Sequence, residues 1–274
     1  MTISDPEWAT SHPEDDDQWA RWESSPLQQI DFAIHIHYLR EYLSQHDRVL
    51  EVGAGAGRFT REIADLVDRM VVVDISEEKL QENQRYANAM GYAGSVEDWR
   101  LSDMRDLSQD FEDGEFDAVV CLGGPLSYVF DLREQALSEL VRVTRSGGKL
   151  LLSGRSLWGM LHENLPRILT TMEPRMSREF VKTGDLGPSP VAPMDRYWHA
   201  FRAAEFRTFI EQAGPRIVAM SASNCLASTW DEMLATWRED KSLWNRLIEW
   251  EIEASREPGC LDMGTHILAV AEKP

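Results

Sequence analysis

The chain has 274 residues, 43% of them hydrophobic, and a formal net charge of −19. That length accommodates one large α/β domain with insertions, while the acid excess argues against a nucleic-acid backbone as the main partner, because the field of the whole molecule repels it. No apolar run approaches the ~20 residues that span a bilayer, and Met1 to Trp8 lack the basic and apolar regions of a signal peptide, so a cytoplasmic protein is expected.

Cys121, Cys225 and Cys260 are too widely spaced for a disulfide framework or a zinc site, and no metal is expected. Only five of the 28 basic residues are lysine. Such a composition suits a high-salt cytoplasm and equally reflects a biased genome.

Residues 1 to 25 combine seven acids with Trp8, Trp19 and Trp22. The acids alone read as a solvated tail; the tryptophans give two alternatives, a lid over a ligand cleft or packing on the domain surface. Apolar residues from Ile30 to Leu43 recur at three- and four-residue intervals, which predicts an amphipathic helix with His35 and His37 as surface or packing residues.

Arg48-Val49-Leu50-Glu51-Val52 then runs into Gly53-Ala54-Gly55-Ala56-Gly57 and a helical pattern from Arg58 to Val67. This reads as a parallel strand handing over to a helix through a loop whose bare backbone meets a ligand. The dinucleotide fingerprint G-x-G-x-x-G requires its last glycine where Arg58 stands. An acidic residue, one apolar residue and G-x-G-x-G instead resemble motif I of the class I S-adenosylmethionine-dependent methyltransferases.

Met70 to Val73 is a short apolar run of the kind buried on both faces of a parallel sheet, closed by Asp74, Ile75 and Ser76. An acid at this strand end accepts hydrogen bonds from both ribose hydroxyls of a nucleotide; the structural alternative for Asp74 is helix capping. A third strand is expected over Ser95 to Leu101. There the resemblance implies that Asp103 contacts the adenine amino group, with Met104 beside it as the apolar neighbour; Asp98 and Asp106 are rivals. Phe116 to Cys121, running into Leu122-Gly123-Gly124-Pro125, resembles the family's motif IV, where the strand end meets the methionine part of the cofactor and the reacting methyl. A helix over Asp131 to Thr144, a turn at Arg145-Ser146-Gly147-Gly148 and a strand over Lys149 to Ser153 complete the resemblance. It implies a three-layer, Rossmann-like sandwich with a mostly parallel seven-stranded sheet and an antiparallel last strand, here over Gly264 to Ala271. Its implied cofactor is S-adenosyl-L-methionine, and Glu51 becomes a partner for loop N–H groups and, through water, the cofactor's ammonium.

The expected organisation is an N-terminal segment and helix over 1–45, a cofactor-binding core over 46–154, a lid or insertion over 155–200, and the rest of the core over 201–274. Five prolines between residues 155 and 200 argue against long helices there. Between Arg155 and Arg207 eight basic residues face six acids, so the arginines serve either each other's local carboxylates or an acceptor bearing a carboxylate or phosphate. A helix over Glu205 to Ala213, a strand over Pro215 to Ser221 and a helical insertion over about 226–258 follow. The last opens on a Thr229-to-Glu232 capping box, and Trp230, Trp237 and Trp244, seven residues apart, predict most simply one buried helix face, the alternative being an aromatic substrate pocket.

The implied function is methyl transfer to an oxygen or nitrogen of a small-molecule acceptor, which could bear a carboxylate or be a small peptide, by a monomer or homodimer. His199, with Tyr197 as orienter, is the first candidate for a general base and His162 the second; each is also a plausible packing or surface residue, and a carboxylate acceptor needs no base. The rival functions are a nicotinamide-dependent oxidoreductase and a non-catalytic S-adenosylmethionine-binding protein.

Overall fold

The computed structural model describes residues 25–187, 197–228 and 230–274. The expectations for the tryptophans of residues 1–24, for Pro188, Pro190 and Pro193, and for the Thr229 cap therefore fall outside the described residues.

Seven strands form one sheet: β1 (Arg48–Val52), β2 (Arg69–Asp74), β3 (Val96–Leu101), β4 (Phe116–Cys121), β5 (Thr144–Arg155), β8 (Arg216–Ala222) and β9 (His266–Glu272). Their spatial order is β3-β2-β1-β4-β5-β9-β8, and β9 alone runs antiparallel to the other six. A separate two-stranded ribbon pairs β6 (Asp185–Leu186) with β7 (Trp198–His199).

The apolar strands are double-sided, as their near-continuous hydrophobicity requires. Val49, Met70, Val72, Ala118, Val120, Leu151, Leu268 and Val270 face one core. Leu50, Val52, Val71, Val73, Val119, Cys121, Leu150, Leu152, Ile267 and Ala269 face the other. The first core is covered by α1 (Pro26–Tyr42), α2 (Arg58–Ala64) and α3 (Glu77–Met90). After a short turn, α4 (Pro125–Tyr128), α5 (Arg133–Val143) follows and covers the second core. Each fully buried aliphatic side chain contributes about 1.5–3 kcal/mol, so both faces drive the sandwich together.

Helix α1 starts four residues before its expected first position. Ser25 caps it by accepting from the Gln28 N–H at 3.3 Å, and Pro26 occupies a first-turn position where its missing N–H costs nothing. The expected turn at Arg145 to Gly148 lies inside strand β5 as an irregularity: Thr144 pairs with Phe116, and Lys149 with Ala118.

The proline-rich stretch corrects the expectation of irregular structure. It contains α6 (Leu157–Thr171) and α7 (Pro174–Thr183), because Pro174 starts a helix and Pro166 is carried within one. Leu157, Leu161, Ile168, Met172, Phe180, Leu186 and Trp198 give this insertion a small core of its own. After α8 (Ala203–Gln212), the expected long helix is divided into α9 (Asp231–Glu239) and α10 (Lys241–Ser255). Asp240 breaks it by capping α10 through the N–H groups of Ser242 and Leu243. The tryptophan stripe is consequently discontinuous: Trp237 and Trp244 pack on the first core, whereas Trp230 is exposed. Buried Glu251 accepts from the N–H groups of Cys225, Leu226 and Ala227 at 2.7, 3.1 and 2.7 Å, tying α10 to the loop after β8.

Candidate functional site

Strand order reverses between β1 and β4, and in open α/β sheets the crevice at the carboxyl ends of such neighbours is where ligands bind. The glycine loop occupies that place. The N–H groups of Gly53 and Ala54 both donate to Val73 O, at 2.9 and 3.2 Å, folding the loop over the end of β2. Gly53 has φ +72°, and a Cβ there would stand 2.7 Å from Pro125 Cγ, so the loops after β1 and β4 touch only because this side chain is absent. Nothing lies within 4 Å of where a Cβ at Gly55 would project, so that stretch of backbone is open to a ligand.

Asp74 braces the loop. One carboxylate oxygen accepts from Gly55 N–H at 2.8 Å and the other from Ser76 N–H at 2.9 Å. Burial raises its pKa, and these backbone bonds offset part of that. Each oxygen keeps a second lone pair, the acceptor chemistry a ribose diol needs. Ile75 is half-buried beside it, and the Ser76 hydroxyl caps α3 by accepting from Lys79 N–H.

Glu51 has a partner on the next helix that the sequence did not reveal. Its carboxyl accepts from the Thr60 hydroxyl of α2 at 2.6 Å. Thr60 in turn accepts from Asn83 at 2.8 Å, and Asn83 accepts from the Trp99 indole at 3.2 Å. Burial pushes the Glu51 pKa up to about 8, with the Thr60 bond opposing and Asp74 adding to the rise. A Cβ at Gly57 would stand 2.9 Å from Asn83, which fixes the end of the loop against this network.

Asp103 follows β3 as expected, and its carboxylate is held by the Arg105 guanidinium and backbone N–H. Buried Met104 reaches the glycine loop, its Cε 3.5 Å from the position of a Gly53 Cβ. The rivals are otherwise engaged: Asp98 pairs with Arg100, and Asp106 accepts from Ser108. Leu122 is buried, while the N–H groups of Gly123 and Gly124 donate to Ser153 Oγ at 2.8 and 3.2 Å. Ser153, Thr60 and Asn83 were not identified from sequence, because each acts through a partner 9 to 30 residues away.

The structure does not place His199 as a free base. It is 2% exposed, and its two ring nitrogens lie 2.7 Å from Asp185 and 2.8 Å from Glu205, so both are occupied within the insertion. Tyr197 is 59% exposed and its ring meets Phe130 at 5.4 Å, not the His199 ring nitrogens. His162 is exposed, 3.5 Å from Ser228 Oγ.

A different histidine cluster adjoins the Gly123-Gly124 loop. His35 of α1 is fully buried, with ring centroids 5.1 Å from Phe59 and 6.1 Å from His266. Positions for a Cβ at Gly123 and Gly124 lie 3.7 Å from Phe59 and 3.3 Å from His266. Asp31, one turn before His35, is 3.6 Å from His266 across the same space. A sequence sign existed: an aspartate and a histidine at i and i+4 on the apolar face of a helix. Among the described residues no group of three metal-ligating side chains occurs and no helix is long and apolar enough to cross a membrane.

Residues 49–148 match a family model described as a methyltransferase domain. The chain is 33% identical over 107 residues to a ubiquinone biosynthesis O-methyltransferase of Xanthomonas oryzae pv. oryzae, covering 39% of this chain and 42% of that one. It is 31% identical over 147 residues to a glycine/sarcosine N-methyltransferase of Parasynechococcus marenigrum, covering 51% and 49%. The chain thus matches about half the length or less of these curated relatives. A crystal structure from Methanosarcina mazei, described as a SAM-dependent methyltransferase, superposes with a TM-score of 0.59 at 20% identity over 86% of this chain and 96% of the other, a likeness of fold.

Proposed function

We propose that the chain is a class I S-adenosylmethionine-dependent methyltransferase, on the match of residues 49–148 to a methyltransferase-domain model, and that it transfers the methyl group of S-adenosylmethionine to an oxygen or nitrogen of a small-molecule acceptor. The observation that carries this reading is the convergence of the glycine loop, Asp74, Asp103–Met104 and Gly123 at the carboxyl ends of four adjacent strands. In it, Asp74 holds the ribose diol, flanked by Ile75 and Ser76. Asp103 and Met104 serve the adenine, while Glu51, Gly53, Ala54, Gly55 and Gly57 shape the methionine end. Leu122 and Gly123 border the reacting methyl.

When bound, this cofactor supplies a methyl group already activated by the sulfonium, so the protein's tasks are alignment and exclusion of water. The interlocked loops serve alignment: Gly53 against Pro125 and Ser153 beneath Gly123-Gly124 fix the edges of the crevice. The two named relatives act as O- and N-methyltransferases, which supports the reaction class and leaves both acceptor atoms in the proposal. The net charge of −19 favours a small acceptor over nucleic acid.

The oxidoreductase reading is disfavoured by Arg58, which starts α2 with its guanidinium 4.5 Å over the Phe32 ring, where the dinucleotide motif places a glycine. A thermal-shift panel separates the two. S-adenosylhomocysteine and S-adenosylmethionine should raise the melting temperature while NAD and FAD leave it unchanged; the opposite pattern would overturn the proposal.

A further inference from the structure

Among the described residues, four buried side-chain polar atoms lack a hydrogen-bond partner, and two of them, Asp31 Oδ1 and His35 Nε2, lie in the cluster beside Gly123-Gly124. Leaving such a group unpaired costs about 1–3 kcal/mol, so two in one place call for a missing partner. The hydrogen-bond geometry defines that partner. His35 Nδ1 lies 2.7 Å from Asp31 O, which only accepts; Nδ1 therefore carries the ring proton and Nε2 presents a lone pair. Arg155 Nη1 donates to His266 Nε2 at 3.3 Å, which leaves the His266 proton on Nδ1, 3.2 Å from Thr265 Oγ1 and too far, at 3.6 Å, to satisfy Asp31.

The surrounding charges agree with these states. Burial lowers His35 to about 4 against the pull of Asp31, with His266 and Arg58 lowering it further. Burial also lowers His266, opposed by Asp31 and reinforced by Arg155 and Arg58. Burial alone would raise Asp31, but His35, His266 and Arg58 outweigh it and hold the carboxyl below its usual range. At neutral pH the cluster offers a carboxylate and a neutral imidazole, both acceptors.

Two unpartnered acceptors in one cluster suit a group that carries two N–H hydrogens. We infer that Asp31 and His35, beside His266, form the acceptor-binding wall of the transfer site, and that the group methylated is an amine whose N–H hydrogens meet Asp31 Oδ1 and His35 Nε2. A hydroxyl carries one hydrogen and satisfies one of them; a carboxylate carries none and is repelled. Asp31 and His266 keep 13% and 11% of their side chains exposed and His35 keeps none, so the wall is nearly closed. The inference rests on the methyltransferase reading. In the transfer, the amine lone pair forms the new N–C bond as the S–C pair stays on sulfur. The positive charge lost by the sulfonium stays on the methylated ammonium, whose N–H hydrogens face the Asp31 carboxylate and the His35 Nε2 lone pair.

The test uses the full chain saturated with S-adenosylhomocysteine, following the 15N signal of His35 Nε2 while ethylamine and histamine are added, with catechol and benzoate as controls. At least one amine should move the signal, and the controls should not. In parallel, methyl transfer from S-adenosylmethionine to that amine should fall at least 100-fold in His35→Gln and Asp31→Asn, with S-adenosylhomocysteine affinity within twofold of wild type. A signal that no amine moves, a shift produced by catechol or benzoate alone, or an ordered water as the only bridge between Asp31 and His35 overturns the inference while the cofactor reading stands. Failure to bind S-adenosylhomocysteine removes the cofactor reading itself.

Discussion

The two sides of the crevice are built differently. The proposed donor side runs along the chain from Glu51 to Gly124 and uses the ends of four strands that follow one another. The proposed acceptor side gathers Asp31 and His35 from α1, Arg155 from β5 and His266 from β9, residues separated by more than 200 positions. A consecutive loop constrains its own residues locally, whereas a wall assembled from remote elements is constrained only once the sheet exists. The donor side should therefore be intolerant of small backbone changes, and the insertion around His199 should be separable from it.

The largest effect that would sharpen this contrast is Gly53→Val. The new side chain meets Pro125 in a left-handed backbone position, so S-adenosylhomocysteine binding should be lost in calorimetry, with stability reduced by roughly 3 kcal/mol or more. Retained binding would break the claim that the two loops must touch. Asp74→Ala should weaken cofactor binding by about 1.5–3 kcal/mol, because it removes a charged acceptor and the brace on Gly55; unchanged affinity would take Asp74 out of the ribose site.

Glu51 gives a signature in pH. Its folded pKa, near 8, lies above that of the unfolded chain, so the native state holds a proton that the unfolded state has released. The associated stability is complete below the unfolded carboxyl's pKa and is lost as pH rises through 8. Denaturation of the unliganded protein should show a loss of roughly 2 kcal/mol between pH 6.5 and 9, and Glu51→Gln should flatten that part of the profile. An equal slope in the variant would assign the titration elsewhere.

The smallest effect on cofactor binding is expected at the insertion. His199→Ala removes the bridge between Asp185 and Glu205 and should cost about 1–2 kcal/mol of stability, with S-adenosylhomocysteine affinity unchanged. A matching loss of affinity would mean that the insertion and the donor side are one unit.

The same division explains what the sequence revealed. Val71 to Asp74 and Phe116 to Gly124 announce themselves through β-branched runs closed by an acid or a glycine pair, and both lie where expected. Proline counting failed over Leu157 to Thr171, because Pro166 is tolerated inside a helix packed on its own small core. His199 sat in a polar-aromatic stretch that resembled a lid base, but its carboxylate partners come from Asp185 and Glu205, and pairing is a tertiary fact. Glu51 was correctly singled out as costly inside an apolar strand, yet its partner, Thr60, stands on the next helix. His266 opens an apolar strand, and only the sheet order brings it to Gly124.

A crystal structure of the chain with S-adenosylhomocysteine tests the central claim most directly. The account predicts the ribose hydroxyls on Asp74, the backbone of Gly53 to Gly57 along the ligand, and the sulfur facing the Gly123-Gly124 loop toward His266 and His35. A ligand with its ribose away from Asp74, or its sulfur turned from that loop, would contradict it.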